Sequence, residues 1–133
     1  MKMRIWTTFI FLAALSLAYV RRHAASLSTF RNLPPADKQL YHDVRDEKDW
    51  RNPYIIIDNR GFDIVGGASG SVEHLATALA ALPKSAWPYG KVVAVSTTAL
   101  RSRNDDQLIQ QNQTDALRIL RDAGIEVKLW PSN

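Results

Sequence analysis

Residues 54 to 65 read YIIIDNRGFDIV, two short apolar runs joined by a charged turn. This pattern constrains the fold more than any other in the chain. Tyr54 to Ile57 is β-branched and too short for a helix, so it predicts a strand. Asp58-Asn59-Arg60-Gly61 has turn chemistry at both ends. An aspartate in first position caps the turn amides, and a glycine in last position takes a positive φ cheaply. Phe62 to Val65 then alternates, with Phe62 and Ile64 on one face and Asp63 on the other. The expected unit is a β-hairpin.

The chain beyond Val65 fits a small α+β domain. Ser71 is placed to cap a helix, its hydroxyl meeting an unpaired backbone N–H. Val72, Leu75, Leu79 and Leu82 form one apolar stripe at helical spacing, and Pro83 ends it. Lys91 to Thr97 (KVVAVST) predicts a third strand, central and β-branched. Asp105 and Asp106 suit the start of a second helix, and Arg118 and Arg121 its end. Ile109, Ala116, Leu120 and Ala123 trace its inward face, and Gly124 stands at a left-handed C-cap. Ile125 to Trp130 predicts the last strand, stopped by Pro131. The order is β-hairpin–α–β–α–β. It implies a two-layer α+β domain over residues 54–133, with a mixed four-stranded sheet. A unit of this size can fold alone, with a thin margin.

Residues 1–22 differ in kind. They run uncharged from Ile5 to Val20 after Lys2 and Arg4. As a helix that run spans about 24 Å, a little short of a bilayer core. Met3, Arg4 and Arg21 can extend it by snorkelling. Trp6 and Tyr19 sit where interfacial aromatics belong. Two readings compete. One is a signal anchor, giving a single-pass inner-membrane protein with its C-terminal domain in the periplasm. The other is a signal peptide cleaved after Ala18, releasing a soluble periplasmic protein. Tyr19 and the Arg21-Arg22 pair favour the anchor. Residues 23–53 read as a polar linker of limited order. Pro35 opens a short exposed helix with Leu40, Tyr41 and Val44 as its apolar stripe. The run RDEKDW reads as a solvated face, and Asn52-Pro53 as the domain boundary.

Composition closes several classes of function. The chain has no cysteine, which excludes disulfides, thiolate metal sites and Cys nucleophiles. Of 17 lysines and arginines, Lys2 and Arg4 belong to the N-terminal segment, and the other 15 face 13 acidic residues. The charges are interspersed, so a nucleic-acid partner is not expected. His23, His42 and His74 lie in separate segments and share no metal-ligand spacing. No metal or cofactor is expected.

The stretch GGASGS, residues 66–71, precedes a helix start, and such an end attracts anions. It lacks the Walker A lysine and the glycine spacing of a dinucleotide site. It misses the nucleophile elbow by one residue, since Ser71 stands in place of the second glycine. A flexible connector is the preferred reading. Ser69, Ser71, Arg101 and Arg103 remain the candidate anion or partner contacts. Ser69 or Ser71 with His74 and Asp58 or Asp63 makes the lowest-ranked alternative, a small serine hydrolase. Trp87-Pro88-Tyr89 either packs on the sheet or marks a partner surface.

Four stretches carry a family resemblance. They are IIIDNRGFDIVGG, SVEHLATALAALP, VVAVSTT and ALRILRDAGIEVKLW, within residues 54 to 130. Together with one N-terminal membrane segment and a polar linker, they resemble the ExbD/TolR biopolymer-transport family. That resemblance implies a non-enzymatic exported domain that binds an envelope protein, cell-wall polymer or a second copy of itself. Family members also carry an aspartate in the membrane helix for ion coupling. Residues 5–20 have no Asp, Glu, His, Lys or Arg, so the resemblance extends to the exported domain and not to the motor. A cleaved periplasmic protein binding a small ligand near Ser69, Ser71 and Arg101 is the alternative.

Overall fold

The computed structural model describes residues 28–99 and 103–132. Five strands form one sheet in the order β3-β2-β1-β4-β5. They are β1 (Tyr54–Ile57), β2 (Phe62–Ile64), β3 (Ser69–Gly70), β4 (Val92–Thr97) and β5 (Glu126–Leu129). The helices are α1 (Lys38–Tyr41), α2 (Leu75–Ala80) and α3 (Arg103–Asp122). Single 3-10 turns cover Glu47–Asp49, Val72–His74 and Lys84–Ala86. The sheet is mixed. β1, β2 and β3 pair antiparallel, while β4 runs parallel to both β1 and β5. The fold is α+β, as the element pattern predicts.

The hairpin forms by the chemistry expected of it. Asp58 Oδ1 accepts from the amides of Arg60 at 2.8 Å and Gly61 at 3.0 Å. Gly61 takes a φ of 141°. A side chain there would run into the backbone of Gly70 and Ser71, so this glycine also lets β3 approach the turn. The register places Ile55 opposite Ile64 and Ile57 opposite Phe62, with all four buried on one face.

The expected four strands become five. Within GGASGS, Ser69 and Gly70 pair with Asp63 and Phe62 and add a short edge strand. The connector is therefore sheet at its centre. Ser71 does not cap a helix through its side chain. The chain enters α2 through the 3-10 turn Val72–His74, and the Ser71 carbonyl accepts the His74 amide at 2.9 Å. A tighter first turn places the first amides differently from those of an α-helix, which moves them away from the Ser71 hydroxyl.

α2 and α3 share one face of the sheet. Ile55, Ile57, Val93 and Val95 meet Leu75, Leu79, Ile109, Ala116 and Leu120 in one buried cluster. α3 ends in a Schellman motif. Gly124, at φ 75°, donates to the Arg121 carbonyl, and Ile125 donates to that of Leu120, both at 2.9 Å. Ile125 and Leu120 are both buried in the same cluster, which supplies the hydrophobic contact typical of that motif. The other end of α3 is tied to the hairpin turn. Asn59 donates to Asp105 Oδ1 at 3.1 Å, and Asn112 donates to the Asp58 carbonyl at 2.9 Å.

The second face of the sheet is covered as well, which corrects the expectation of a polar linker. Residues 36–50 fold back over β1, β4 and β5. α1 is capped by Asp37, whose Oδ1 accepts from the Gln39 amide at 3.1 Å. Tyr41 and Trp50 are buried, Val44 is half-buried, and Leu40 faces out. Trp50, at the end of the run RDEKDW, is thus a core residue. Further back, residues 28–31 are helical, and Phe30 and Leu33 are buried in the helix-side core. The N-terminal membrane segment, residues 1–22, lies outside the described residues. Among the described residues no helix is long and apolar enough to cross a membrane.

Candidate functional site

Of the residues singled out from the sequence, the described ones, Ser69, Ser71 and Arg103, fall at one end of the sheet. Ser69 is exposed in β3, opposite Asp63. Ser71 is exposed at the entry to α2. Arg103 is the first residue of α3 and is exposed. Arg101 lies outside the described residues. Ser71 and α3 flank the Asp58–Gly61 turn from two sides, since Gly61 abuts Ser71 and Asn59 reaches Asp105. Two carboxylates on the same helix, Asp105 and Asp106, stand near Arg103 in the chain.

Two elements of a hydrolytic triad, His74 and Asp58, have other partners. His74 Nε2 lies 3.4 Å from Glu73 Oε1, with both side chains largely exposed. The Asp58 carboxylate is committed to the amides of its own turn. Asp63 is exposed in β2. His42 Nδ1 is 3.2 Å from the Gln39 carbonyl on the far side of the molecule. Among the described residues no group of three His, Asp or Glu side chains is arranged to hold a metal ion.

A more constructed site lies beneath residues 36–50, at positions that no sequence motif marks. Its root is Asn52, only 6% exposed. Its side-chain amide donates to the carbonyls of Gly90 and Val92, each at 2.8 Å. Its side-chain oxygen accepts from the Tyr89 amide, also at 2.8 Å. One asparagine thereby satisfies three backbone groups at the head of β4. Gly90, at φ 82°, lies directly under the Pro34 and Pro35 carbonyls, where any side chain would clash. The Lys91 amide donates to Pro34 and the Asp37 amide to Tyr89, at 3.0 and 2.9 Å.

Above Asn52 sits an aromatic cluster. Trp50 makes edge-to-face contacts with Tyr41, Tyr89 and Trp130, with ring centroids 5.0 to 5.6 Å apart. Trp130 also tilts onto Tyr54 at 5.2 Å. Ring pairs at these separations add stabilisation beyond buried area alone. The polar tips of Tyr41, Trp50, Tyr54 and Tyr89 each have a partner. The Trp50 indole donates to the Pro53 carbonyl at 3.1 Å, and the Tyr54 hydroxyl meets Ser96 Oγ at 2.7 Å. Trp87-Pro88-Tyr89 joins the two sides. Trp87 packs edge-to-face on Phe30 in the helix-side core, and Tyr89 enters the aromatic cluster.

Lys128 of β5 places its ammonium inside this cluster. Nζ donates to the carbonyls of Val44 at 2.8 Å and Tyr41 at 3.3 Å. It lies 5.8 to 6.0 Å from the ring centres of Tyr41, Trp50 and Trp130. Cations at that range are attracted to ring faces. Two residues earlier on the same strand face, Glu126 Oε2 accepts from the Tyr41 hydroxyl at 3.2 Å. Burial, and then the neighbouring Glu126 carboxylate, push the Tyr41 phenol above its ordinary pKa. Beside the cluster runs an open groove of about 1000 Å³, bordered by Trp50, Arg51, Pro53, Tyr54, Val65 and Trp130.

The signal for this site is present in the sequence, though spread thin. Tyr41 and Trp50 are large aromatics in an otherwise polar stretch, and a solvated spacer has no use for them. The edges of the sheet are the other notable surface. β5 has a neighbour on one side only, and Leu129 on it is 59% exposed. The architecture defines a class, a small mixed-sheet α+β domain enclosed on both faces. In comparisons with family models, curated proteins and solved structures, none matches this chain.

Proposed function

We propose that this chain is a non-enzymatic interaction module, exported to the periplasm and held at the inner membrane by residues 1–22. In plan it is similar to the periplasmic part of ExbD/TolR transport proteins. The observation that carries this reading is where the family-like stretches fall. IIIDNRGFDIVGG spans β1, its Asp–Gly turn and β2. SVEHLATALAALP covers the entry and body of α2. VVAVSTT is β4, and ALRILRDAGIEVKLW runs from α3 through the Gly124 cap into β5. The resemblance thus tracks whole elements in one order.

The uncharged run from Ile5 to Val20 supports an anchor without ion coupling. The pairing of His74 with Glu73 and of the Asp58 carboxylate with its own turn amides supports a binding role over a hydrolytic one. The partner is an envelope protein, cell-wall polymer or a second copy of the chain. The exposed β5 edge with Leu129 supports self-association, because an edge strand offers unpaired backbone groups to another strand.

Fractionation of native protein tests the anchor. A full-length species that stays with the membrane through carbonate washing is expected. A soluble product starting at Tyr19 would replace this reading with the cleaved periplasmic one. For the edge, Leu129→Lys is expected to convert a dimer to monomer by light scattering. A wild-type monomer at all concentrations removes the homodimer.

A further inference from the structure

Residues 38–50 are attached differently from everything around them. Both flanks are rooted in the domain. On the N-terminal side, Phe30 and Leu33 are buried beside Trp87, and the Pro34 carbonyl accepts from Lys91. On the C-terminal side, Asn52 is clamped to Gly90, Val92 and Tyr89. Between these roots the backbone bonds are local. Leu40 bonds to Asp37, His42 to Lys38, Val44 to Tyr41, Asp49 to Asp46 and Trp50 to Glu47. The segment meets the sheet through side chains: the rings of Tyr41 and Trp50, the Tyr41–Glu126 and Tyr89–Asp49 hydrogen bonds, and Lys128. Most of its other residues face solvent.

The surface beneath it is equally distinctive. The residues it covers form a cluster separate from the helix-side core. Its buried members are the rings of Tyr41, Trp50, Tyr54 and Tyr89 with Val92 and Ala94, and the exposed Glu126 and half-buried Lys128 stand at its margin. Uncovering this face therefore leaves the aliphatic core closed.

We propose that residues 38–50 are a hinged lid over the β1–β4–β5 face, turning on Pro34-Pro35 and Asn52, with Lys128 as its latch. The ammonium ties the lid carbonyls of Tyr41 and Val44 to β5. Opening frees that ammonium, the Glu126 carboxylate and the rings of Tyr54, Tyr89 and Trp130 together. Off the sheet its isolated single turns are too short to persist, so its amides reach water together when the lid opens.

Native-state amide exchange on the full-length protein in detergent tests this. The His42, Val44 and Trp50 amides are expected to exchange through an opening insensitive to low denaturant, about tenfold or more above the β1 and β4 amides. Lys128→Met keeps the aliphatic stem and removes the ammonium. It should speed lid exchange by about another tenfold, the loss of a charge-assisted bond, and leave β1 and β4 unchanged. Acetylation of Lys128 in the wild-type chain gives a second readout. It should lag Lys38 and Lys48 and show the same insensitivity to denaturant. Lid and sheet amides exchanging together overturns the proposal. So does a Lys128→Met variant that leaves the lid unchanged, or one that unfolds the whole domain.

Discussion

The two faces of this sheet are covered by opposite means. On one face, Ile55, Ile57, Val93 and Val95 meet Leu75, Leu79, Ile109 and Leu120, side chains without a polar atom. On the other, Tyr41, Trp50, Tyr54 and Tyr89 meet Val92 and Ala94, with Asn52 and Lys128 bonded among them. The first kind of contact is non-directional and scales with area, so it supplies most of the folding free energy. The second kind depends on geometry. A buried polar group is costly if unpaired, so each one selects a single arrangement of its surroundings. The helix face makes the domain stable. The lid face determines how residues 34–53 lie on it.

Substitutions on the two faces should therefore fail in different ways. The largest effect is expected from Leu120→Ala, which empties a fully buried site in the helix-side core. It should cost about 3 kcal/mol by chemical denaturation, with sheet and lid lost together. Asn52→Ala removes the partners of two carbonyls and one amide at the head of β4. A loss of about 2 kcal/mol is expected, with lid amides exposed before those of β1. Equal exposure of both sets would mean that the two faces are one cooperative unit. Gly124→Ala should cost about 1 kcal/mol in the same denaturation assay, since alanine resists the positive φ of the Schellman cap. Gly124 joins α3 to β5, so that variant strains the entry to the edge strand.

The same division separates what is legible in the sequence from what is not. Where side chains repeat with a regular period, local chemistry announces the structure. The hairpin, its Asp58–Gly61 turn, the inward stripe of α3 and the Gly124 cap are all of this kind. β3 is not, because two residues in a glycine-rich stretch have no period to read. Ser71 misleads because a 3-10 turn and an α-helix start with the same cap residues and differ only in how tightly the first turn winds. The lid is the least legible part. Its anchors, Tyr41, Trp50, Asn52, Lys128 and Trp130, are up to 89 positions apart and share no element. Lys128 on an edge strand reads as solvated, and the returning chain is what half-buries it. The candidate contacts Ser69, Ser71 and Arg103 lie at one end of the sheet without a side-chain framework to join them.

The smallest expected effect is the sharpest test of the lid face. Tyr41 bonds to Glu126 with its hydroxyl and lends its carbonyl to Lys128, so it links both charged residues of that strand face. Its phenol is raised above its ordinary pKa by burial, then by Glu126, with Asp37 adding to the effect. Lys128 is the cation on the same side. A raised phenol pKa means the neutral form is favoured in the folded state. Its contribution is therefore complete below about pH 10, the ordinary tyrosine value, and is lost as pH climbs through the higher folded value. The lid should loosen on that alkaline side while the aliphatic face, which presents no titrating side chain, holds. Tyr41→Phe should cost about 1 kcal/mol or less at neutral pH, the worth of one neutral hydrogen bond. It should also flatten the alkaline response of Trp50 fluorescence. If the response persists in Tyr41→Phe, the titrating group is elsewhere, and the tie between Tyr41 and Glu126 is not what holds α1 to β5.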